Sequence, residues 1–230
     1  MNVLITGVTG FAAAHLTAFC AGQGCSITGL GRRDASEADL PPELSSYEVV
    51  DLSDGTRTRQ AVRAASPELV FHLAADSSVA ESWKNPVGVI DNNVMSTLNV
   101  LEAVRHEASG ARVLVACSGE EYGEPESLPV TERHPLRPRS PYALSKASVD
   151  LVAGFYADAY GTHAIRTRAF NHVGPGQSDG SSSDGSSGSL RKKRWYSWIN
   201  QKRRVNAFAS ETPSLATSAA IVRQRRSKRR

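Results

Sequence analysis

The chain has 230 residues, 40% of them hydrophobic, three cysteines and a formal net charge of +4, enough for one substantial core. The charge is unevenly placed: residues 1–176 hold 14 Lys and Arg against 20 Asp and Glu, while residues 177–230 hold 13 against 3, so only the last quarter has an electrostatic footprint for nucleic acid or an anionic membrane. An odd cysteine count, no basic leader ahead of a long apolar run and no membrane-length apolar stretch argue against a disulfide scaffold, a secretory signal and a membrane span, so the expected setting is the reducing cytoplasm.

In chain order, Asn2–Thr6 is a short apolar run that stops at glycine, as a buried strand does. Gly10–Ala21 has helical character, Ser26–Leu30 reads as a second strand and Tyr47–Val50 as a third. Asp54 caps a helix running to Ala65. Leu69–Leu73 is the fourth strand, and Pro86 opens a long helix through Val89, Val94, Leu98, Leu101 and Val104. Arg112–Cys117 is the fifth strand, Ser140 and Pro141 start a helix reaching Tyr160, and Ala164–Phe170 is the sixth strand. Such alternation predicts an α/β fold with a doubly wound parallel sheet, and a ligand lying across the carboxyl ends of the strands.

Between the first strand and its helix stands Thr6-Gly7-Val8-Thr9-Gly10-Phe11-Ala12-Ala13. Glycines at Gly7 and Gly10 permit a tight turn and a close backbone approach to a pyrophosphate, and the helix N-terminus supplies free N–H groups. Gly7, Thr9, Gly10 and Phe11 are therefore the expected dinucleotide contacts, in a Rossmann-like sheet. Ala13 stands where a third glycine is usual. The second strand ends in Gly31-Arg32-Arg33 rather than in an acid. Arg32 with its neighbour suits a 2′-phosphate, so NADP is the expected cofactor, and Asp34 close by keeps NAD as the alternative.

Tyr142 and Lys146 lie four apart at the start of a helix, hence on one face. A phenol titrates near 10, and a neighbouring cation lowers that value, which suits a proton donor or acceptor at a carbonyl or hydroxyl. Ser118, at the end of the fifth strand, is expected to bond the same oxygen. Glu120 and Glu121 add two carboxylates: Glu120 is a candidate base on carbon, and Glu121 is expected to be a solvated loop residue. Tyr122 is read as packing and His72 as structural. With no second His or Cys at ligand spacing, no metal is expected.

Together these residues resemble the extended short-chain dehydrogenase/reductase family, the NAD-dependent epimerases and dehydratases that modify nucleotide sugars. The matching pieces, in family order, are TGVTGF, VDLSD, HLAADSSV, NNVMSTLNVLEA, SGEEYG, SPYALSKAS and RAFNHVGPGQ, ending at Gln177. The last two look most like reductases that convert GDP-4-keto-6-deoxy-D-mannose to GDP-D-rhamnose, with GDP-mannose 4,6-dehydratases the competing reading. The resemblance implies Ser118, Tyr142 and Lys146 as the catalytic triad, and Glu120 as the acidic residue that serves as base in dehydratases. It further implies Asn171 as a sugar-nucleotide contact, Asp51 and Leu52 beside the adenine, and Leu73, Ala74 and Ala75 lining the cofactor cleft. Tyr142 and Lys146 would also touch the cofactor, and a homodimer is expected of a complete member.

After Gln177 the composition changes abruptly to Ser and Gly, then to clusters of Arg and Lys with Trp195, Tyr196 and Trp198 between them. The expected organisation is a Rossmann domain at 1–176, a Ser/Gly linker at 177–190 and a basic, low-order tail at 191–230, with the substrate domain largely missing. Three readings stay open: a lost reading frame, an appended arm for nucleic acid or an acidic membrane surface, and a divergent, shortened substrate domain. Two other function classes also stay open, a dinucleotide-binding module with a docking tail and an inert fragment.

Overall fold

A computed structural model of the protein describes residues 1–170. The expected linker and tail, their boundaries and Asn171 lie outside the described residues. The six strands are β1 (Asn2–Thr6), β2 (Ser26–Gly31), β3 (Ser46–Val49), β4 (Leu69–His72), β5 (Arg112–Ser118) and β6 (His163–Ala169). The helices are α1 (Phe11–Gly22), α2 (Gly55–Ala65), α3 (Val79–Lys84), α4 (Pro86–Glu107) and α5 (Pro141–Tyr160), with a single 3₁₀ turn at Gly119–Tyr122. All strand pairs are parallel, in the order β3-β2-β1-β4-β5-β6. The predicted elements form with ends moved by one residue or so. The exception is α3, six residues long and too short to carry a helical period.

Local chemistry explains where the helices begin. Asp54 accepts the Arg57 N–H, Asn85 accepts Gly88 N–H ahead of Pro86, and Ser140 accepts Ala143 N–H ahead of Pro141, each satisfying one of the unpaired N–H groups of a helix start. Successive strand residues face opposite sides, and two cores result. Leu4, Leu30, Val70, Val113 and Val115 pack under α2, α4 and α5. Val3, Ile5, Ile27, Phe71 and Leu114 face the other way, where α1 supplies Ala13, Leu16 and Cys20. Ala13 is thus part of the strand–helix contact, and its methyl group is accommodated in the core.

One register detail sets up the site. His72, the last residue of β4, pairs with Val115 of β5, so β5 runs three residues further, to Ser118. At roughly 3.3 Å per residue, that lifts Ser118 about 10 Å beyond the rim of β4. β6 extends with it, pairing Ala169 with Ser118. No helix among the described residues is long and apolar enough to cross a membrane.

Phe71 is fully buried in the middle of the sheet. Phe71→Ala should lower the unfolding free energy by about 3–5 kcal/mol, measured by urea denaturation.

Candidate active site

The phosphate end of the site is built from bare backbone. Gly7 has φ +66°, and a Cβ on it would stand 2.7 Å from Ala74 Cα. Only glycine satisfies both constraints. The turn is fixed by Gly7 N–H and Val8 N–H donating to the Leu30 carbonyl at 2.9 and 3.3 Å, and by Gly10 N–H donating to the Gly7 carbonyl at 3.0 Å. Gly10 caps α1 with no side-chain bond, so the opening N–H groups of α1 face the rim with no capping side chain on them. A cradle that a methyl group would fill, beside an uncapped helix start, fits a pyrophosphate.

Thr6 and His72 tie β1 to β4 under this turn. Thr97 donates to the Asn93 carbonyl at 2.8 Å, so its oxygen accepts from His72 Nε2 at 3.0 Å. His72 Nδ1 is then the acceptor for the Thr6 hydroxyl at 2.8 Å, whose oxygen takes the Ala74 N–H at 3.2 Å. The chain of bonds fixes one neutral tautomer. Burial, helped by the Lys146 charge, pushes the His72 pKa down to about 3, so His72 is the structural residue expected.

At the far end of the rim, Arg32 pairs with Asp76 at 3.2 Å and remains largely exposed. Asp51 accepts the Ser53 N–H at 2.9 Å; that bond, and the nearby Arg32 charge, hold its carboxyl below the usual range. The Leu52 side chain packs into the core rather than facing a ligand, and its carbonyl accepts from Asn99 at 2.8 Å. Leu73, Ala74 and Ala75 are half-buried along the rim after β4. Thr9 and Phe11 are likewise half-buried, and Phe11 meets His15 edge to face.

β5 and α5 bring Ser118, Tyr142 and Lys146 together. The Ser118 hydroxyl lies close enough to the Tyr142 phenol to favour its ionised form, and Lys146, 6% exposed, donates to the Ala116 carbonyl at 2.8 Å. Tyr142 is not the acidic tyrosine expected from its spacing to Lys146. Burial pushes the Tyr142 pKa up; the Ser118 hydroxyl opposes this, and the Glu120 and Glu121 charges push it further up. Lys146 is itself lowered by burial and spends its ammonium on a main-chain carbonyl, so its charge does not prevail at the phenol.

Glu121 is not the solvated loop residue expected. It is 0% exposed, whereas Glu120 beside it faces solvent. In a 3₁₀ turn residues three apart eclipse, so Glu121 lies back over Ser118 and accepts its N–H at 2.6 Å. Cys117, Glu121 and Asp150 converge within 4.8 Å, a grouping that spacing along the chain did not foretell. Asp150 is held by Arg166 at 2.9 Å and by Arg168 at 2.8 Å on each of its two oxygens. Burial raises its pKa, but the Arg168 bonds more than offset this and hold it low. Guanidiniums already compensate this cluster, which makes it an ion-pair network rather than a cation site. Tyr122 packs as expected, stacked on Phe170 with its hydroxyl accepting from Arg168 at 3.0 Å.

Asn93 was missed by sequence reasoning. It is buried on α4, accepts Asp76 N–H at 2.7 Å and donates to Ser145 at 2.9 Å. Ser145 in turn donates to the Tyr142 carbonyl at 2.7 Å. One amide therefore links the β4 rim to the first turns of α5. It sits inside the quoted block NNVMSTLNVLEA, but its partners are distant in sequence.

A family model described as GDP-mannose 4,6 dehydratase matches residues 4–182. The chain belongs to the GDP-mannose 4,6-dehydratase family. It is 32% identical to a GDP-mannose 4,6-dehydratase of Yersinia enterocolitica over 76% of this chain and 50% of that one. It is 34% identical to GDP-mannose 4,6 dehydratase 2 of Arabidopsis thaliana, over 75% and 50% respectively. Its fold resembles UDP-glucose 4-epimerase of Thermus thermophilus in complex with NAD, with a TM-score of 0.66 and 33% identity over 73% of this chain and 54% of that one. The chain spans about half the length of the curated relatives it matches. The family membership expected from the motifs is met, and among its activities these relatives favour the dehydratase over the reductase.

Burial raises the Glu121 carboxyl from 4.5 to about 7, with the Ser118 N–H opposing and the Asp150 charge adding to the rise. A carboxyl with a raised folded pKa binds protons more tightly folded than unfolded, so its contribution to stability falls as pH rises between those values. Glu121→Gln should abolish that fall. Relative to wild type, the variant should gain up to about 3 kcal/mol between pH 5 and pH 8, measured by urea denaturation at both pH values.

Proposed function

We propose that residues 1–170 form the cofactor-binding and proton-transfer half of an NADP-dependent GDP-mannose 4,6-dehydratase. The observation that carries this reading is the meeting of Ser118, at the carboxyl end of β5, with Tyr142 and Lys146, on the first turns of α5, at the rim of a parallel sheet, with Glu120 on the turn after Ser118. Gly7, Gly10 and the start of α1 would hold the pyrophosphate, and Arg32 the 2′-phosphate. A bound nicotinamide would supply a hydride acceptor for the sugar C4 that gives the hydride back at C6, so that the cofactor is not consumed.

The chain's own groups manage the protons. Tyr142 moves the proton at the C4 oxygen, and Ser118 bonds that oxygen and keeps it in line. Burial keeps the phenol protonated at neutral pH, so in the protein alone Tyr142 is poised as a donor; acting as acceptor requires a further positive charge nearby. Lys146 holds the end of β5 through the Ala116 carbonyl and is a buried cation on the same helix as Tyr142. Glu120, open to solvent, would take the C5 proton and pass it to the C6 hydroxyl, which leaves as water, and the proton that Tyr142 took at C4 balances the one C5 regains. The reductase expected from the sequence would use the first three residues and leave Glu120 idle, so the two readings part at that residue.

Remote binding groups align the reacting carbon, and this chain spans half of its relatives. Multiple-turnover rates are therefore expected to be far below those of the relatives. A single-turnover assay with stoichiometric chain, NADP⁺ and GDP-mannose should give a keto sugar lighter by one water, lost in Glu120→Gln and Tyr142→Phe. Consumption of NADPH with a GDP-4-keto sugar, unaffected by Glu120→Gln, would establish the reductase instead.

Arg32 also decides the cofactor. Its bond to Asp76 must open for a 2′-phosphate, and a charge-assisted contact is worth about 1.5–3 kcal/mol. Arg32→Ala should weaken NADPH binding about tenfold or more and leave NADH nearly unchanged, by fluorescence titration.

A further inference from the structure

A carboxyl group shut off from water lies directly beneath the Ser118–Tyr142 pair, and the scheme above gives it no part. Glu121 Oε1 accepts the Ser118 N–H at 2.6 Å. Oε2 makes no hydrogen bond among the described residues, and the nearest cation, Arg168 Nε, stands 3.6 Å away. Arg168 is already committed, with Nε and Nη2 on Asp150 and Nη1 on Tyr122 and the Glu132 carbonyl.

Charged and titratable groups approach Glu121 from each neighbouring element. β5 contributes Cys117, whose thiol lies within 4.8 Å of the Glu121 and Asp150 carboxylates. Glu120 is adjacent on the same turn. α5 presents Tyr142, Lys146 and Asp150, and β6 presents Arg168, with Arg166 behind Asp150. From the loop before α5, the Arg137 N–H donates to the Glu121 carbonyl at 2.9 Å. Asp150 therefore has three guanidinium bonds and Glu121 one longer contact. The charge left uncompensated on Glu121 acts on the phenol through a poorly screening interior.

We propose that Glu121 is a positioning residue for the proton-transfer pair: it fixes Ser118 against Tyr142 by holding the Ser118 main-chain N–H, and its charge, once ionised, adds to burial in opposing the phenolate. The inference deepens the proposed function and rests on its reading of Tyr142. It places control of that tyrosine in a buried acid as much as in the lysine four residues along.

The test uses the whole chain without substrate or cofactor. Tyr142 is titrated by phenolate absorbance, as the difference between each chain and its Tyr142→Phe counterpart. Glu121→Gln keeps an oxygen acceptor for Ser118 and removes the charge, so the phenol midpoint should fall by about half a unit or more. Glu121→Leu removes the acceptor as well. The support of the Ser118 hydroxyl for the phenolate is then lost along with the repulsion, and the fall should be smaller. An unchanged midpoint in Glu121→Gln, or equal falls in both variants, overturns the proposal.

A wild-type measurement stands independently of whether the variants fold. The Ser118 amide proton should resonate far downfield and move as Glu121 titrates. A Ser118 amide insensitive to pH between about 5 and 9 also overturns it. NADPH titration on the same samples separates the two readings: these shifts without dinucleotide binding would sink the proposed enzyme and leave the coupling of Glu121 to Tyr142 standing.

Discussion

Six strands running in one direction impose a single constraint on everything else: their carboxyl ends share one rim. The glycine turn after β1, Arg32 after β2, the Ala74–Asp76 segment after β4 and Ser118 at the end of β5 are brought together by that direction alone. Parallel strands need crossover connections, and those crossovers are the helices whose N-termini return to the same rim. Tyr142 and Lys146 stand on the first turns of one crossover, and the uncapped start of α1 is another. The site needs no special device to assemble, because the topology concentrates helix starts and strand ends along one edge.

Electrostatics inside that frame are governed by burial more than by pairing. Lys146, Glu121, Asp150 and His72 are all nearly excluded from water, and each is managed differently. His72 stays neutral between two threonines. Asp150 is held ionised by two arginines. Lys146 places its ammonium on a carbonyl, and Glu121 places one oxygen on an amide. The proton inventory of the Ser118–Tyr142 pair follows from these four solutions together. The roles implied by resemblance fell on Ser118, Tyr142, Lys146 and Glu120, and the buried Glu121 was absent from them.

Features that depend on near neighbours were legible in the sequence. The strand–glycine–helix turn, the Asp54 cap, the Pro86 and Pro141 helix starts and the four-residue spacing of Tyr142 and Lys146 are local patterns, and each formed where expected. What escaped was non-local. The fate of Glu121 depends on the tight turn that rotates Glu120 outward and Glu121 inward, and the string SGEEYG does not distinguish one acid from the other. The raised phenol of Tyr142 depends on burial beneath the rim, whereas the sequence shows only the lysine. Asn93 joins Asp76 and Ser145, 17 and 52 residues away, and no periodicity announces such a bridge. α3 has too few residues to express a period. The choice between dehydratase and reductase turned on two short blocks, one of which runs past the described residues.

The contact of Gly7 with Ala74 has a mechanical meaning. No side chain separates these two stretches of backbone, so neither can yield without pushing the other. A grip on the turn is therefore felt at the start of the segment running to Asp76, and Asn93 carries it onward to Ser145 and the first turn of α5. Anchoring a dinucleotide by its phosphates would stiffen the tyrosine's support from the opposite end of the groove, so the two ends of the rim respond as one body.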